Sequence, residues 1–423
     1  MSETVHVSPP AISARDSVGA VFASFLGWTL DAFDFFLVVM CLTAIAKDLH
    51  KSVEYIALSL TVTLAFRPVG AFLFGLMADR YGRRLPLMID LIFYSVIEVL
   101  TGLAPNFATF LILRALFGIG MGGEWGVGAS LAMEKVPPRL RGVLSGLLQE
   151  GYAVGYLLAA LCYFFLFPHY GWRPLFFIGG LPALLALFVR FGVRESQVWE
   201  TTRHANWADL FRGIAGQWKL FAFLVLLMAM MNFSSHGTQD LYPTFLENAF
   251  NFSPHRRAAL TAFTMVGALG GGLVFGLLSD RIGRRKAIVL SLLLGVLIIP
   301  MWAFARSPVV LWIGGFLIQF MVQGAWGVIP AHITELSPDA VRGFLPGFAY
   351  QCGALIAGTA PSIQAALAKQ PGWGYPKTMA ISALVVFLLA ALVAWLGGER
   401  RGATFGHLPA LTPARGFEVI QER

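Results

Sequence analysis

Apolar runs of about twenty residues recur along the chain, separated by short polar stretches rich in Arg, Gly and Pro. A hydrocarbon core of ~30 Å requires about 20 helical residues. On that template the pattern predicts helical spans over 18–45, 54–78, 86–104, 107–133, 144–167 and 173–192. A second set is predicted over 219–246, 257–279, 286–304, 308–333, 344–367 and 376–396. The expected fold is all-α and membrane-spanning. Two six-helix halves, 18–192 and 219–396, are joined by a polar linker at 193–218 and flanked by tails at 1–17 and 397–423. The first tail holds Pro9 and Pro10 and lacks the apolar stretch of a signal peptide, so the first span is expected to double as the insertion signal.

Composition sharpens this picture. The 423 residues are 57% hydrophobic and 13% charged, whereas a soluble domain carries about a quarter charged residues. Mean hydropathy is +0.70. The net charge of +8 does not point to nucleic acid, because the basic residues lie in short loops between apolar runs. If both termini share one side, that side holds about two thirds of the 31 Lys and Arg residues. The positive-inside rule then places both termini and the 193–218 linker in the cytoplasm, with the chain in the cell (inner) membrane. Cys41, Cys162 and Cys352 are odd in number, far apart and inside apolar runs, so no disulfide framework, metal site or cofactor is implied.

The chain repeats itself. GLMADRYGRR at 75–84 recurs as GLLSDRIGRR at 276–285, and GGEWGV at 122–127 recurs as QGAWGV at 323–328. Glu134, Pro137, Arg141 and Gly142 match Glu335, Pro338, Arg342 and Gly343. Every pair is offset by 201 residues. Six spans per copy give both halves the same topology, related by an axis along the membrane normal. Asp79 and Asp280 stand at equivalent helix ends beside Arg83, Arg84, Arg284 and Arg285. With Glu134, Arg141, Glu335 and Arg342 they form a candidate ionic latch between the halves. The simpler alternative is that the arginines only set topology, but that leaves the paired aspartates unexplained.

Charges inside a bilayer are costly and mark candidate functional positions. At ~1.5 Å per residue, Arg67 and Glu98 both lie near the bilayer midplane. Asp31 and Asp34 share one face of span 1. Span 7 carries Asn232, His236 and Asp240 on one stripe, with Ser234, Ser235, Thr238 and Gln239 between them. Such a stripe should line a central cavity or a helix contact; the hydroxyls alone are readily satisfied by their own helix. The offset of 201 maps Asp31 to Asn232, and Gln149 and Glu150 to Tyr350 and Gln351. Both halves thus offer polar groups to one central solute. Glu124 is expected to pair with Arg114. Trp125 and Trp326 fit packing beside glycines and ligand stacking equally well, while Gly120, Gly122, Gly123, Gly126 and Gly128 suit close helix contact.

The duplicated Asp-Arg-x-Gly-Arg-Arg segments resemble the signature between spans 2 and 3 of the major facilitator superfamily. LILRALFGIG, with Arg114, resembles that superfamily's fourth-span motif, and RESQVW at 194–199 the segment after span 6. NFSSHGTQDLYPT, Asn232 to Thr244, is similar to a motif of the Jen-type monocarboxylate–proton symporters, with Thr238 where Ser or Gln is usual. FRPVGAFLFGLMADRYGRR and GGEWGV also look like that group. A first-span Asp-x-Phe-Asp like Asp31–Asp34 is shared with sialic acid permeases of the same wider group, and aromatic-acid permeases have a similar pattern. The resemblance implies proton-coupled uptake of lactate, pyruvate or related small carboxylates.

The residue chemistry is compatible. Arg67 offers a planar fork for a carboxylate, and His236 and Gln239 add donors. Asn232, Gln149, Tyr350 and Gln351 complete the candidate substrate site. Asp31, Asp34, Glu98 and Asp240 are candidates for proton coupling, and the residues do not choose among them. Runner-up substrates are sialic acid, aromatic acids and dicarboxylates. A membrane sensor should append an output domain, for which the 397–423 tail is too short. An enzyme should show a nucleophile–base or metal constellation, and an ATP-driven pump a GxxxxGK[ST] loop; the sequence has none of these. The expected partners are the small carboxylate, protons and the lipid bilayer, and the expected state is a monomer.

Overall fold

The computed structural model describes residues 14–203 and 206–406. Residues 1–13 and 407–423 of the expected tails lie outside the described residues. In the first half, span 1 is Ala14–Asp48, span 2 Val53–Tyr81, span 3 Arg84–Gly102 and span 4 Phe107–Lys135. Span 5 runs as Arg141–Gln149 and Gly151–Tyr170, and span 6 as Arg173–Ile178 and Pro182–Gly192. In the second half, span 7 runs as Trp218–Gln239 and Tyr242–Phe250. Span 8 is Pro254–Ile282, span 9 Arg284–Ala303 and span 10 Pro308–Leu336. Span 11 runs as Leu345–Ala357 and Ala360–Ala368, and span 12 is Gly374–Leu396. Among the described residues, ten of these crossings are long and apolar enough by themselves to cross a membrane. The other two are spans 6 and 11, which are broken into shorter pieces.

The breaks have local causes that an apolar run conceals. Pro182 follows Gly179 and Gly180, Pro243 follows the polar end of span 7, and Pro361 follows Gly358. Each proline lacks the N–H that would continue the helical ladder. Span 5 only bends at Glu150, since Glu150 N still donates to Gly146 O at 3.2 Å. Spans 2, 4, 8 and 10 continue past the predicted ends of their apolar runs. Their last turns carry the charged residues of the repeated motifs. The linker is not featureless: it forms two short helices, Gln197–Thr202 and Trp207–Gly216, each started by a side-chain cap from Ser196 or Asn206.

Two large hydrophobic clusters form among the described residues, with a smaller third around Ala129, Met133 and Ala331. One, around Leu37, Phe117 and Leu175, lies within the first half. The other, around Leu227, Ile318 and Phe387, belongs mainly to the second half and draws in Trp28 and Trp125. The pseudo-symmetry extends to backbone packing. A Cβ on Gly70 would collide with the Ile119 backbone, and one on Gly271 with the Phe320 backbone. These contacts tie span 2 to span 4 and span 8 to span 10 at positions related by the offset of 201.

The halves meet at the arginine-rich face. Span 5 uses Arg141–Gln149 there and span 11 uses Leu345–Ala357. The Asp79 carboxylate accepts from Gly343 N at 2.8 Å and Phe344 N at 3.0 Å. Its repeat partner Asp280 accepts from Gly142 N at 2.9 Å and Val143 N at 3.1 Å. Each aspartate therefore holds backbone N–H groups of the opposite half. Arg83 bridges Asp79 (2.7 Å) and Glu134 (3.0 Å), and Arg284 bridges Asp280 (2.7 Å) and Glu335 (2.9 Å). Across the interface Arg342 approaches Glu134 at 3.6 Å and Arg141 approaches Glu335 at 3.7 Å. Arg84 and Arg285 are not brought into this network. Arg84 Nε donates to Val189 O at 3.2 Å and Arg285 donates to Trp395 O, each within its own half. Arg84 is the first residue of span 3 and Arg285 the second of span 9, and both side chains point along their own bundle.

Candidate functional site

With the arginine-rich face closed, a cavity of about 490 Å³ remains between the halves. Span 1 supplies Trp28, Phe35 and Phe36, span 2 Arg67, and span 5 Gln149, Glu150 and Tyr152. Span 7 supplies Asn232, Ser235, His236, Gln239 and Asp240, span 10 Gln323 and Trp326, and span 11 Tyr350. Seven of the residues singled out from the sequence therefore share one cavity: Arg67, Gln149, Asn232, His236, Gln239, Asp240 and Tyr350. Gln351 does not reach it. One residue further along the helix, it points into the packed interior, 1% exposed. The bend at Glu150 turns that carboxyl toward the cavity, where it packs against Gly272.

Arg67 is the only Arg or Lys on the wall among the described residues. It is held at the cavity by Pro68 within span 2 and by the close approach of Gly122 to its backbone. Its Cζ lies 5.6 Å from the Tyr350 ring centroid. Its Nε and Nη2 find no hydrogen-bond acceptor among the described residues. A guanidinium that is nearly buried, backed by an aromatic ring and left with open donors is built to receive an anion.

The remaining polar wall is largely self-satisfied. His236 Nδ1 lies 3.0 Å from Asp240 Oδ2, one helical turn on. Gln239 Nε2 donates to Gln319 Oε1 at 2.8 Å, and Gln319 Nε2 donates to Thr238 Oγ1 at 3.2 Å. Asn232 donates to Met228 O at 2.8 Å. Trp125 Nε1 donates to Gln149 Oε1 at 3.4 Å, while the Trp125 ring stands 4.6 Å from Tyr350. Trp125 thus supports the wall from behind, whereas Trp326 faces the cavity.

The span 1 and span 3 acids lie elsewhere. Asp31, Asp34 and Glu98 are fully buried inside the first half and do not line the cavity. The expected pairing of Arg114 with Glu124 is corrected by the structure. Arg114 Nη2 bonds Glu98 and, at 2.8 Å, Thr101 Oγ1. Glu124 sits further along span 4, turned against Gly27 of span 1. Asp90 and Tyr94, fully buried on span 3, were not singled out from the sequence. An isolated Asp in an apolar run near a loop reads as a helix-end residue. Only the helix packing shows that it faces Gly120 of span 4.

A family model of the Major Facilitator Superfamily matches residues 19–271 and 241–411. The chain belongs to that superfamily. It is a multi-pass membrane transporter, and its relatives are transporters rather than enzymes. It is 31% identical over 377 residues to the sialic acid transporter NanX of Escherichia coli, covering 88% of this chain and 93% of that one. It is 28% identical over 416 residues to a carboxylic acid transporter protein homolog of Saccharomyces cerevisiae, covering 90% of this chain and 68% of that one. The solved structure of the proton:xylose symporter XylE shares the fold, with a TM-score of 0.73 at 18% identity, covering 92% of this chain and 98% of XylE.

Proposed function

We propose that this superfamily member is a proton-coupled symporter of small monocarboxylates such as lactate and pyruvate, of the Jen type. The observation that carries the reading is Arg67, the one Arg or Lys on the cavity wall among the described residues, with unpartnered donors beside Tyr350. The substrate carboxylate docks on Arg67, and Asn232, His236, Gln239 and Gln149 orient the rest of the molecule. The relatives named for sialic and carboxylic acids support an organic acid as cargo. The Lys and Arg distribution puts the arginine-rich face and both termini in the cytoplasm of an inner membrane. The closed face then makes this the outward-facing state, with Asp79, Asp280 and their partners as the latch. The domain limits 18–192, 193–218 and 219–396 serve as rocking units and linker.

A second reading has its own observation. A cavity of about 490 Å³ walled by Trp28, Tyr152, Trp326 and Tyr350 is roomy for a three-carbon acid. It suits an aromatic acid or sialic acid. Competition of lactate, pyruvate, succinate, benzoate and sialic acid against each labelled acid in proteoliposomes decides between them. Saturable uptake of lactate or pyruvate, displaced only weakly by the larger acids, supports the monocarboxylate reading. Preference for benzoate or sialic acid overturns it.

A further inference from the structure

The first half contains a set of titratable groups that the cavity does not use. Asp31 and Asp34 of span 1, Asp90 of span 3 and Glu124 of span 4 are all buried. No donor among the described residues reaches either oxygen of any of the four. Tyr94 of span 3 is also fully buried with an unpartnered hydroxyl. Tyr94 and Asp90 both pack against Gly120 of span 4. Around the set, Glu98 and Arg114 pair with each other, and Arg67 of span 2 and Tyr152 of span 5 lie on the cavity side. Span 6 contributes only Gly179 beside Asp34 and Glu98.

We infer that Asp31, Asp34, Asp90 and Glu124 form a proton-holding site inside the first bundle, separate from the substrate cavity. Four carboxylates without donors cannot all remain ionised in a low-dielectric interior. The two arginines cannot neutralise them, because Glu98 already occupies one. Among the described residues these acids do not converge as metal ligands do. The bound species is therefore the proton, held as a neutral carboxylic acid.

The use of this site in transport rests on the proton-symport reading, but the site itself is testable without transport. Infrared difference spectra of the purified protein between acidic and alkaline buffers should show a protonated carboxyl band. Asp90→Asn and Glu124→Gln should each remove part of that band. A wild-type protein without such a band, or a band unchanged in both acid variants, overturns the site whatever the transport data show. In proteoliposomes, Glu124→Gln should lower the ratio of pH-driven uptake to substrate exchange at least tenfold. Failure of the wild type to respond to a pH gradient would overturn the symport reading, while the infrared result would still judge the site.

An independent observation concerns the segment after span 12. The Phe405 ring lies between Arg141 of the first half and Arg342 of the second, with Cζ atoms 3.6 and 3.7 Å from its centroid. These arginines are equivalent under the offset of 201, so the ring sits on the pseudo-axis. Arg141 also donates to Ala403 O, Gly402 N to Glu335 Oε1 at 3.4 Å, and Gly406 N to Asp339 Oδ2 at 2.7 Å. The geometry points to residues 397–406 as a strap that holds the arginine-rich face shut through Phe405. Opening that face separates Arg141 from Arg342, and one ring cannot stay on both. Distances between spin labels at the exposed positions Arg139 and Lys286 report the opening. Phe405→Ala should raise the open population several-fold, and Phe405→Tyr should leave it near wild type. Equal distance distributions in wild type and Phe405→Ala overturn the strap.

Discussion

In the proposed reading, Arg67 concentrates the recognition chemistry in one side chain. A charge-assisted bond contributes about 1.5–3 kcal/mol, and the guanidinium offers two such bonds to one carboxylate. Arg67→Ala should weaken substrate binding more than tenfold by calorimetry on purified protein. Arg67→Lys should recover only part of the loss, because the charge stays but the planar fork does not. Arg114 shows the opposite role. It is buried against Glu98 and Thr101 and stacked near Phe117 and Phe176, away from the cavity. Arg114→Leu leaves the Glu98 carboxyl without its partner and should cost about 3–5 kcal/mol, seen as a lowered midpoint of thermal unfolding in detergent. Depth along the sequence singled out Arg67, whereas Arg114 was assigned to Glu124 rather than to its actual partner Glu98. Depth is a property of one helix, whereas the choice between cavity and core depends on which way the neighbouring spans turn. The same limit explains Gln351, one residue from the cavity-lining Tyr350 but facing inward.

At the scale of elements, the repeated motifs act through helix ends. Asp79 and Asp280 each accept two backbone N–H groups from the opposite half, at the start of span 11 and of span 5. Breaking one such set should bias the molecule toward opening at that face without touching the cavity. Asp79→Asn should change the rate of exchange across the membrane several-fold and leave equilibrium substrate affinity within a few fold. Labelled-substrate exchange and binding, measured in parallel, check both halves of that statement. A companion test uses packing. A Cβ on Gly126 of span 4 would lie 2.5 Å from the Gly347 Cα of span 11. Gly126→Val should therefore disfavour the closed face, increasing the distance between labels at Arg139 and Lys286. The charged motifs and their offset made this ionic network between the halves legible in the sequence, because ions at helix ends have few partners to choose from. The broken crossings were not legible as breaks. An apolar run scores the same whether or not Pro182, Pro243 or Pro361 interrupts its hydrogen-bond ladder.

At the scale of the whole molecule, the two halves are equivalent in fold but not in charge. Span 1 carries Asp31 where span 7 carries Asn232, and the buried acids of spans 1, 3 and 4 have no counterpart of like charge around Asn232. The first half is thus suited to hold protons, and the second to shape the substrate site through span 7. This division has an energetic consequence. A carboxylate moving alone into a negative-inside compartment works against ~2.3 kcal/mol per charge per 100 mV. A proton moving with it cancels that term and leaves the pH difference as the driving force. Uptake of a monocarboxylate into proteoliposomes should rise when the external side is made acidic. It should respond little to a potassium-diffusion potential imposed at constant pH, because one anion and one proton carry no net charge. Asp31→Asn and Asp34→Asn should each abolish accumulation against a substrate gradient under the same pH difference. If both variants still accumulate substrate, the coupling proton travels with Asp240, Glu98 or the substrate itself rather than with span 1. If the wild type follows the electrical potential and ignores the pH difference, the cargo crosses as a bare anion and proton symport is excluded.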